Sequence, residues 1–362
     1  MRKRIHLVAL VLLGACEIVS KETAKQDTTT RIPDTAQLPS AGAIATESVG
    51  VPATPTDSLR PPDDSGDVRI HPAAPRRGGV IFALARGLAS SQAPRCAVDG
   101  QPLPCHATSD GIVAVVPLPA DEPAGKLTLV FDHPTRRTTR NIEVSDAELG
   151  RELVFLDSAR YALLSRQAEI ARDARAVRQA LAISSPERKW TGSWRNLLAT
   201  GRTSQYGVER FYYRASDSAR AVSITPSMRT RGGFAADTST PARGDVPGWR
   251  HTGVDIPLRA GAAVRPPAAG TVTKVGDYVL TGRTVLVDHG QGVTTAYFHL
   301  DTVLVREGDQ LTNQEVLGRV GSDGLTTGPH LHFGVYIHGK DVDPAAWLDM
   351  PEWFRRGQLA QR

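Results

Sequence analysis

The residues best able to do chemistry lie in two short segments. His251-Thr252-Gly253-Val254-Asp255 sets an imidazole and a carboxylate four positions apart, and Gly328-Pro329-His330-Leu331-His332-Phe333 sets two imidazoles two positions apart. On a strand, residues i and i+2 point to one face, so His330 and His332 would share a side. His251, Asp255 and His332 together offer two nitrogen ligands and one oxygen ligand. Three protein ligands leave one position of tetrahedral zinc open, the condition for a catalytic rather than a structural site. Zn2+ held this way lowers the pKa of bound water and polarises a carbonyl. The carboxylate makes it a milder Lewis acid than three histidines would. The His-x-x-x-Asp spacing is weak alone; with His-x-His in the same domain it is much stronger.

Two histidines are predicted to work beside the metal. His299 sits in Tyr297-Phe298-His299-Leu300, at the end of a strand-like run, and His330 shares a face with His332. One would polarise or deprotonate the attacking water, and the other would donate to the oxyanion forming on the scissile carbonyl. The sequence does not assign which does which. His289, in Asp288-His289-Gly290, reads as a structural or surface residue, His338 as a loop residue, and His106 and His133 as isolated surface histidines.

Short apolar runs punctuated by Pro, Gly and Asp predict the elements that position these groups. Residues 190–349 read as an antiparallel β-rich catalytic domain, with turns at Pro266-Pro267, Asp288-His289-Gly290, Glu307-Gly308-Asp309 and Ser322-Asp323-Gly324. A Ser/Thr/Gly/Arg/Pro-rich insertion, 214–248, interrupts it beside the site. In residues 148–189, apolar residues from Leu156 to Leu181 recur at helical spacing. That spacing predicts one long helix or a helical hairpin. Residues 71–147 contain the runs Val80 to Leu84, Ile112 to Val116, Leu127 to Phe131 and Asn141 to Val144, and predict a small β-sandwich-like domain. The fold class is therefore mainly β. Residues 16–70 lack the apolar content to offset the entropy of ordering and read as a tether. Residues 350–362 read as a tail.

Arg2, Lys3 and Arg4 followed by an apolar run from Leu7 to Leu13 predict an export signal over 1–15, too short for a comfortable bilayer span. Leu13-Gly14-Ala15-Cys16 resembles a bacterial lipoprotein signal, which implies lipid on Cys16 and a membrane anchor. Glu17 matches an outer-membrane rather than an inner-membrane destination. An oxidising compartment allows a disulfide between Cys96 and Cys105. The formal charge is +5, from 43 Lys and Arg against 38 Asp and Glu. Three of the positive charges fall in the signal, and no basic helix or basic–aromatic pattern follows. Nucleic acid is therefore not an expected partner.

Residues 251–345 resemble the lysostaphin/LytM-type zinc metallopeptidases of peptidase family M23. The resemblance rests on His251 to Ile256, Gly282 to Gly292, Tyr297 to Leu300, Thr327 to Phe333 and Asp343-Pro344. It implies Zn2+ on His251, Asp255 and His332, catalytic roles for His299 and His330, and peptidoglycan as substrate. With the export signal, it implies a periplasmic murein endopeptidase cutting D-Ala–diaminopimelate cross-links. Some relatives are catalytically silent and serve as activators, so the alternative is a silent activator or scaffold that binds the cell wall or another wall enzyme, or an enzyme held shut by the helical segment or by the 214–248 insertion. The similarity extends loosely back to Gly201-Arg202-Thr203-Ser204-Gln205-Tyr206-Gly207, and Glu209 just beyond stands in place of a common basic residue. Arg283 stands where related domains often carry Asn.

Overall fold

The computed structural model describes residues 68–87, 94–133, 136–190, 194, 197–217 and 249–357. The export signal with Cys16, nearly all of the predicted tether, and most of the 214–248 insertion lie outside them. Among the described residues, no helix is long and apolar enough to cross a membrane.

Eight strands build the first domain: β1 (Val68–His71), β2 (Val80–Arg86), β3 (Arg95–Val98), β4 (Gln101–Leu103), β5 (Cys105–Thr108), β6 (Gly111–Pro117), β7 (Gly125–His133) and β8 (Arg136–Val144). They form two four-stranded sheets, ordered β1-β2-β6-β5 and β4-β3-β7-β8. Ile81, Ala83, Ile112 and Ala114 of one sheet pack against Leu127, Leu129, Phe131 and Ile142 of the other, so the domain is a sandwich. Cys96 and Cys105 form a disulfide that joins β3 to β5, one strand from each sheet. The first strand starts at Val68, three residues ahead of the predicted boundary at 71. β2 reads Val-Ile-Phe-Ala-Leu-Ala without a polar residue because both its faces are covered. Ile81 and Ala83 face the sandwich interior. Val80, Phe82 and Leu84 face the next domain.

The segment read as wholly helical begins with a strand. β9 (Arg151–Leu156) pairs in parallel with β10 (Glu209–Arg214), and β11 (Trp249–Arg250) completes a three-stranded sheet. Leu156 belongs to β9 rather than to a helix. Asp157 caps the first helical turn, its side chain accepting from the Arg160 amide, so helix starts only after it. Two helices follow, α1 (Ser158–Leu163) and α2 (Gln167–Leu181). Ile170, Ala174, Val177 and Leu181 form the buried stripe of α2.

The catalytic region is a nine-stranded sheet. Its main path runs β12 (Val254–Ile256), β19 (Leu331–Ile337), β16 (Val293–Val303), β15 (Gly282–Gly290), β14 (Gly270–Tyr278) and β17 (Gln310–Leu311). β13 (Ala263–Val264), β18 (Gly318–Val320) and β20 (Lys340–Val342) attach at its margins. β15 runs through Asp288 to Gly290, so the turn lies at Gln291-Gly292 rather than at the predicted Asp288-His289-Gly290. Two short helices, α3 (Pro344–Leu348) and α4 (Glu352–Gly357), close the fold. α4 lies within the predicted tail, yet its Phe354 is buried against Phe82, with ring centroids 4.9 Å apart.

One face of this sheet carries Val285, Val287, Tyr297, Phe333, Val335 and Ile337 into the main core. The other carries Leu286, Ala296, Phe298 and Tyr336, and α2 packs on it through Val177, Ala180 and Leu181. Strand alternation puts His332 on this second face with Tyr336.

Candidate metal centre

Asp255 on β12 and His332 on β19 are register partners in an antiparallel pair. Directly opposed residues project to the same side with close Cβ atoms, so the two ligand candidates meet by strand pairing alone. His251 lies just before β12. Its backbone is held by the segment that leads into β10: the His251 amide donates to Val208 O at 2.9 Å, and the Gly207 amide donates to His251 O at 2.8 Å.

The donor atoms converge. His251 Nε2 is 2.9 Å from His332 Nδ1 and 3.0 Å from Asp255 Oδ1, and His332 Nδ1 is 3.2 Å from Asp255 Oδ1. All three residues are buried. His251 Nδ1 lies 2.7 Å from the Gln205 carbonyl, which can only accept, so the ring proton sits on Nδ1 and Nε2 turns its lone pair to the centre. Two ring nitrogens and a carboxylate oxygen aimed at one point repel one another unless a cation or proton lies among them. Ligands at about 2.0–2.2 Å from tetrahedral zinc stand only slightly further apart than these atoms do, so the set fits a metal ion. Burial alone would raise the Asp255 pKa, but the close imidazoles of His251, His330 and His332 hold the carboxyl well below its usual range. Burial pushes His332 down to about 4, which keeps the ring neutral as a ligand must be.

Gly253 is dictated by this packing. A Cβ there would lie 2.4 Å from Phe333 O and 2.7 Å from His332 Nε2. The glycine thus makes room for the His332 ring and the adjacent strand, not for the approach of His251 to Asp255. The His332 ring stacks on Phe298, with centroids 4.6 Å apart and planes 7° apart.

His299 is placed by an exception to alternation. Tyr297 points into the core and Phe298 to the His332 side, so a regular strand would bury His299 in the core. Its backbone is instead left-handed, with φ 61°, at a bulge in the β15–β16 pairing. The ring therefore swings to the site, 4.9 Å between centroids from His330 and 6.2 Å from His332. Its Nδ1 is 2.7 Å from Asp323 O, leaving Nε2 as a lone-pair nitrogen. Burial, with His330 and His332 adding, pushes it down to about 3. His330 is oriented in the same way, Nδ1 lying 2.8 Å from Gly328 O and Nε2 3.4 Å from Asp255 Oδ1. Burial would lower the His330 pKa, but Asp255 outweighs it and raises the value. All five residues singled out in the sequence thus meet at one place.

The other described histidines lie elsewhere. His289 is fully buried: Nδ1 is 2.7 Å from Ala269 O and Nε2 is 2.8 Å from Thr295 Oγ1. His106 is half-buried, not a surface residue. It lines a small gap, shared with His338 and Trp190, between the sandwich and the catalytic sheet, and burial lowers its pKa. His133, at the end of β7, is also only partly exposed. His338 occupies the turn between β19 and β20.

A cleft opens in front of the donor atoms. Its walls include Tyr212, Trp249, Leu325 and, from α2, Ile170, Ala174 and Val177. Sequence reasoning missed Arg210, which also lines it. The Arg210 Nη2 donates to Asp255 Oδ2, and its Nε donates to Glu152 Oε2 at 2.9 Å. The only hint was the expected basic residue at position 209, one place earlier.

Residues 249–344 match Peptidase family M23. DD-carboxypeptidase/endopeptidase Mpg of Neisseria meningitidis serogroup B is 41% identical over 99 residues, covering 27% of this chain and 23% of the relative. Peptidoglycan DD-endopeptidase ShyB of Vibrio cholerae is 33% identical over 161 residues, covering 42% of this chain and 37% of the relative. The chain thus spans well under half the length of these curated relatives. A crystal structure of a Pseudomonas aeruginosa protein ascribed to peptidase M23 superposes with a TM-score of 0.51 at 25% identity, covering 76% of this chain and 94% of that one. The stretch carrying the five site residues is therefore homologous to M23 peptidases, and the similarity of fold reaches well beyond it.

Proposed function

We propose that the chain is a zinc-dependent endopeptidase that cuts D-Ala–diaminopimelate cross-links of peptidoglycan. The observation that carries this reading is the convergence of His251, Asp255 and His332 within 3.2 Å of one another, with His299 and His330 beside them. His251 Nε2, His332 Nδ1 and Asp255 Oδ1 would hold the ion. Zinc in such a site supplies Lewis-acid activation of water and of the scissile carbonyl. His299 and His330 present Nε2 atoms to the same space, each fixed by a carbonyl on its Nδ1. His299, kept neutral by burial, suits proton acceptance. His330, beside it, would then donate to the developing oxyanion. The names of the relatives support a peptidoglycan substrate. The export signal and Cys16 support a periplasmic enzyme tethered to the outer membrane by lipid.

Digestion of purified murein tests this. Loss of cross-linked muropeptide dimers, abolished by a chelator and restored by Zn2+, is the expected result. Unchanged dimers with the zinc-loaded chain would overturn it.

A second reading is favoured by one observation: α2 packs on the sheet face that carries His332 and walls the cleft. The enzyme would then be latent in this conformation, and a partner or the wall itself would draw α2 aside. A silent activator is less well supported, since no ligand or flanking histidine is missing.

A further inference from the structure

The two oxygens of Asp255 have different partners. Oδ1 faces His251 Nε2, His332 Nδ1 and His330 Nε2. Oδ2 faces away and takes the Arg210 guanidinium. Arg210 is itself fixed. It is the register partner of Glu152 across the β9–β10 pair, and Glu152 Oε2 accepts both from Arg210 Nε at 2.9 Å and from Ser204 Oγ at 2.8 Å. Ser204 closes the circuit through the backbone, since the Asp255 amide donates to Ser204 O at 3.1 Å. Arg210 is largely buried, with 16% of its side chain exposed, and Glu152 and Asp255 together raise its pKa against the cost of burial. It is a permanent cation.

We infer that Arg210, braced by Glu152, is a positioning residue that makes Asp255 a one-oxygen ligand and tunes the metal. Two physical effects follow from its placement. With Oδ2 committed to the guanidinium, only Oδ1 is free for the ion, so the carboxylate cannot swing to two-oxygen binding and fill the open position. The positive charge also draws electron density from the carboxylate, which offsets the softening of Lewis acidity that an Asp ligand brings. Both residues lie outside the stretch matched to the family, on strands of the linking sheet. The linking sheet therefore contributes to the metal site itself and not merely to its support. The inference rests on the metal reading but not on which peptide is cut.

The test uses the full chain and reads the metal directly. Zinc affinity is measured by chelator competition for wild type, Arg210→Gln, Arg210→Lys and Glu152→Gln, and the visible absorption of each Co2+-loaded protein is recorded. Loss of such an outer partner lowers metal affinity about 10–100-fold, and that is expected for Arg210→Gln. Its Co2+ bands should also weaken as coordination rises from four to five. Arg210→Lys keeps the charge without the fork and should recover part of the affinity. Glu152→Gln should move affinity and spectrum the same way, but less. A folded Arg210→Gln protein with wild-type zinc affinity and an unchanged Co2+ spectrum would overturn the inference. If that variant does not fold, Glu152→Gln decides, and wild-type affinity and spectrum in it overturn the inference equally. A wild-type chain that takes up no metal overturns the metal reading itself, and this inference with it.

Discussion

Individual side chains here are decided by what their second polar atom does. His251, His299 and His330 each place Nδ1 against a backbone carbonyl, so each turns Nε2 toward the cleft. This division of labour predicts distinct mutant behaviour. His332→Ala should abolish both zinc binding and hydrolysis. His299→Ala should keep zinc, measured by elemental analysis, while turnover falls about 10²–10⁴-fold, the usual worth of a general base. Zinc loss in the His299 variant would refute that assignment. His289 offers a different test. Its Nδ1 faces the Ala269 carbonyl and its Nε2 faces the Thr295 hydroxyl, and burial pushes its pKa down from 6.5 to about 4. The folded state binds this proton less readily than the unfolded chain does, so stability is whole above pH 6.5 and is lost as pH falls toward 4. The shift corresponds to about 3 kcal/mol. In urea titrations, His289→Gln should be less stable than wild type at pH 7, with the gap shrinking by roughly that amount at pH 4. An equal gap at both pH values would show that the histidine does not titrate on folding. The His251, Asp255 and His332 cluster was legible in the sequence because His-x-His and His-x-x-x-Asp are local patterns. Arg210 was not, because its partners Asp255 and Glu152 are distant in sequence and meet only through sheet pairing.

At the level of elements, α2 covers part of the sheet face that bears His332. Val177, Ala180 and Leu181 meet Leu286, Ala296, Phe298 and Tyr336, while the buried Asp173 carboxylate accepts the Val279 amide at 2.9 Å. The helix was legible from its spacing, and its seat was not. An apolar stripe states that a helix is covered without saying by what. The strand β9 was missed for a related reason: Leu153 to Leu156 fit either period, and only the parallel partner β10 decides. If α2 restrains the enzyme, Val177→Asp should release it. Setting a carboxylate among these apolar groups costs at least about 1–3 kcal/mol, enough to raise the undocked population about tenfold. Muropeptide release should rise by a similar factor, and trypsin should cut α2 faster at Arg172, Arg175 or Arg178. Faster proteolysis without faster hydrolysis would mark α2 as structural support only.

The molecule as a whole is tied together through the core rather than strung as separate domains. The outer face of β2 sends Val80, Phe82 and Leu84 into the same cluster as Val285, Tyr297, Phe333 and Trp347. Phe82 lies 5.5 Å from Trp347 and 4.9 Å from Phe354, ring centre to ring centre. Tyr206 adds a polar clasp: its hydroxyl donates to Asp341 Oδ2 at 2.8 Å and accepts from the Ala120 amide at 3.0 Å, joining sandwich, linking segment and catalytic sheet. A sandwich held only by a covalent linker would have left the outer face of β2 polar, so the unbroken apolar run in β2 was already a sign of two-sided burial. Removing the Phe82 ring should therefore be felt on both sides. Phe82→Ala should cost about 3–5 kcal/mol. Hydrogen exchange should then speed up together in β6 of the sandwich and in β16 and β19 of the catalytic sheet, with one calorimetric transition at a lower temperature. The coupling matters for catalysis because β19 carries His332 and β16 carries His299. Loosening the sandwich should thus weaken zinc retention on heating, although no described residue of the sandwich belongs to the His251, Asp255 and His332 cluster. Exchange that quickens in β6 alone, with β16 and β19 as protected as in the wild type, would mean the two regions unfold independently and the shared core is only a contact.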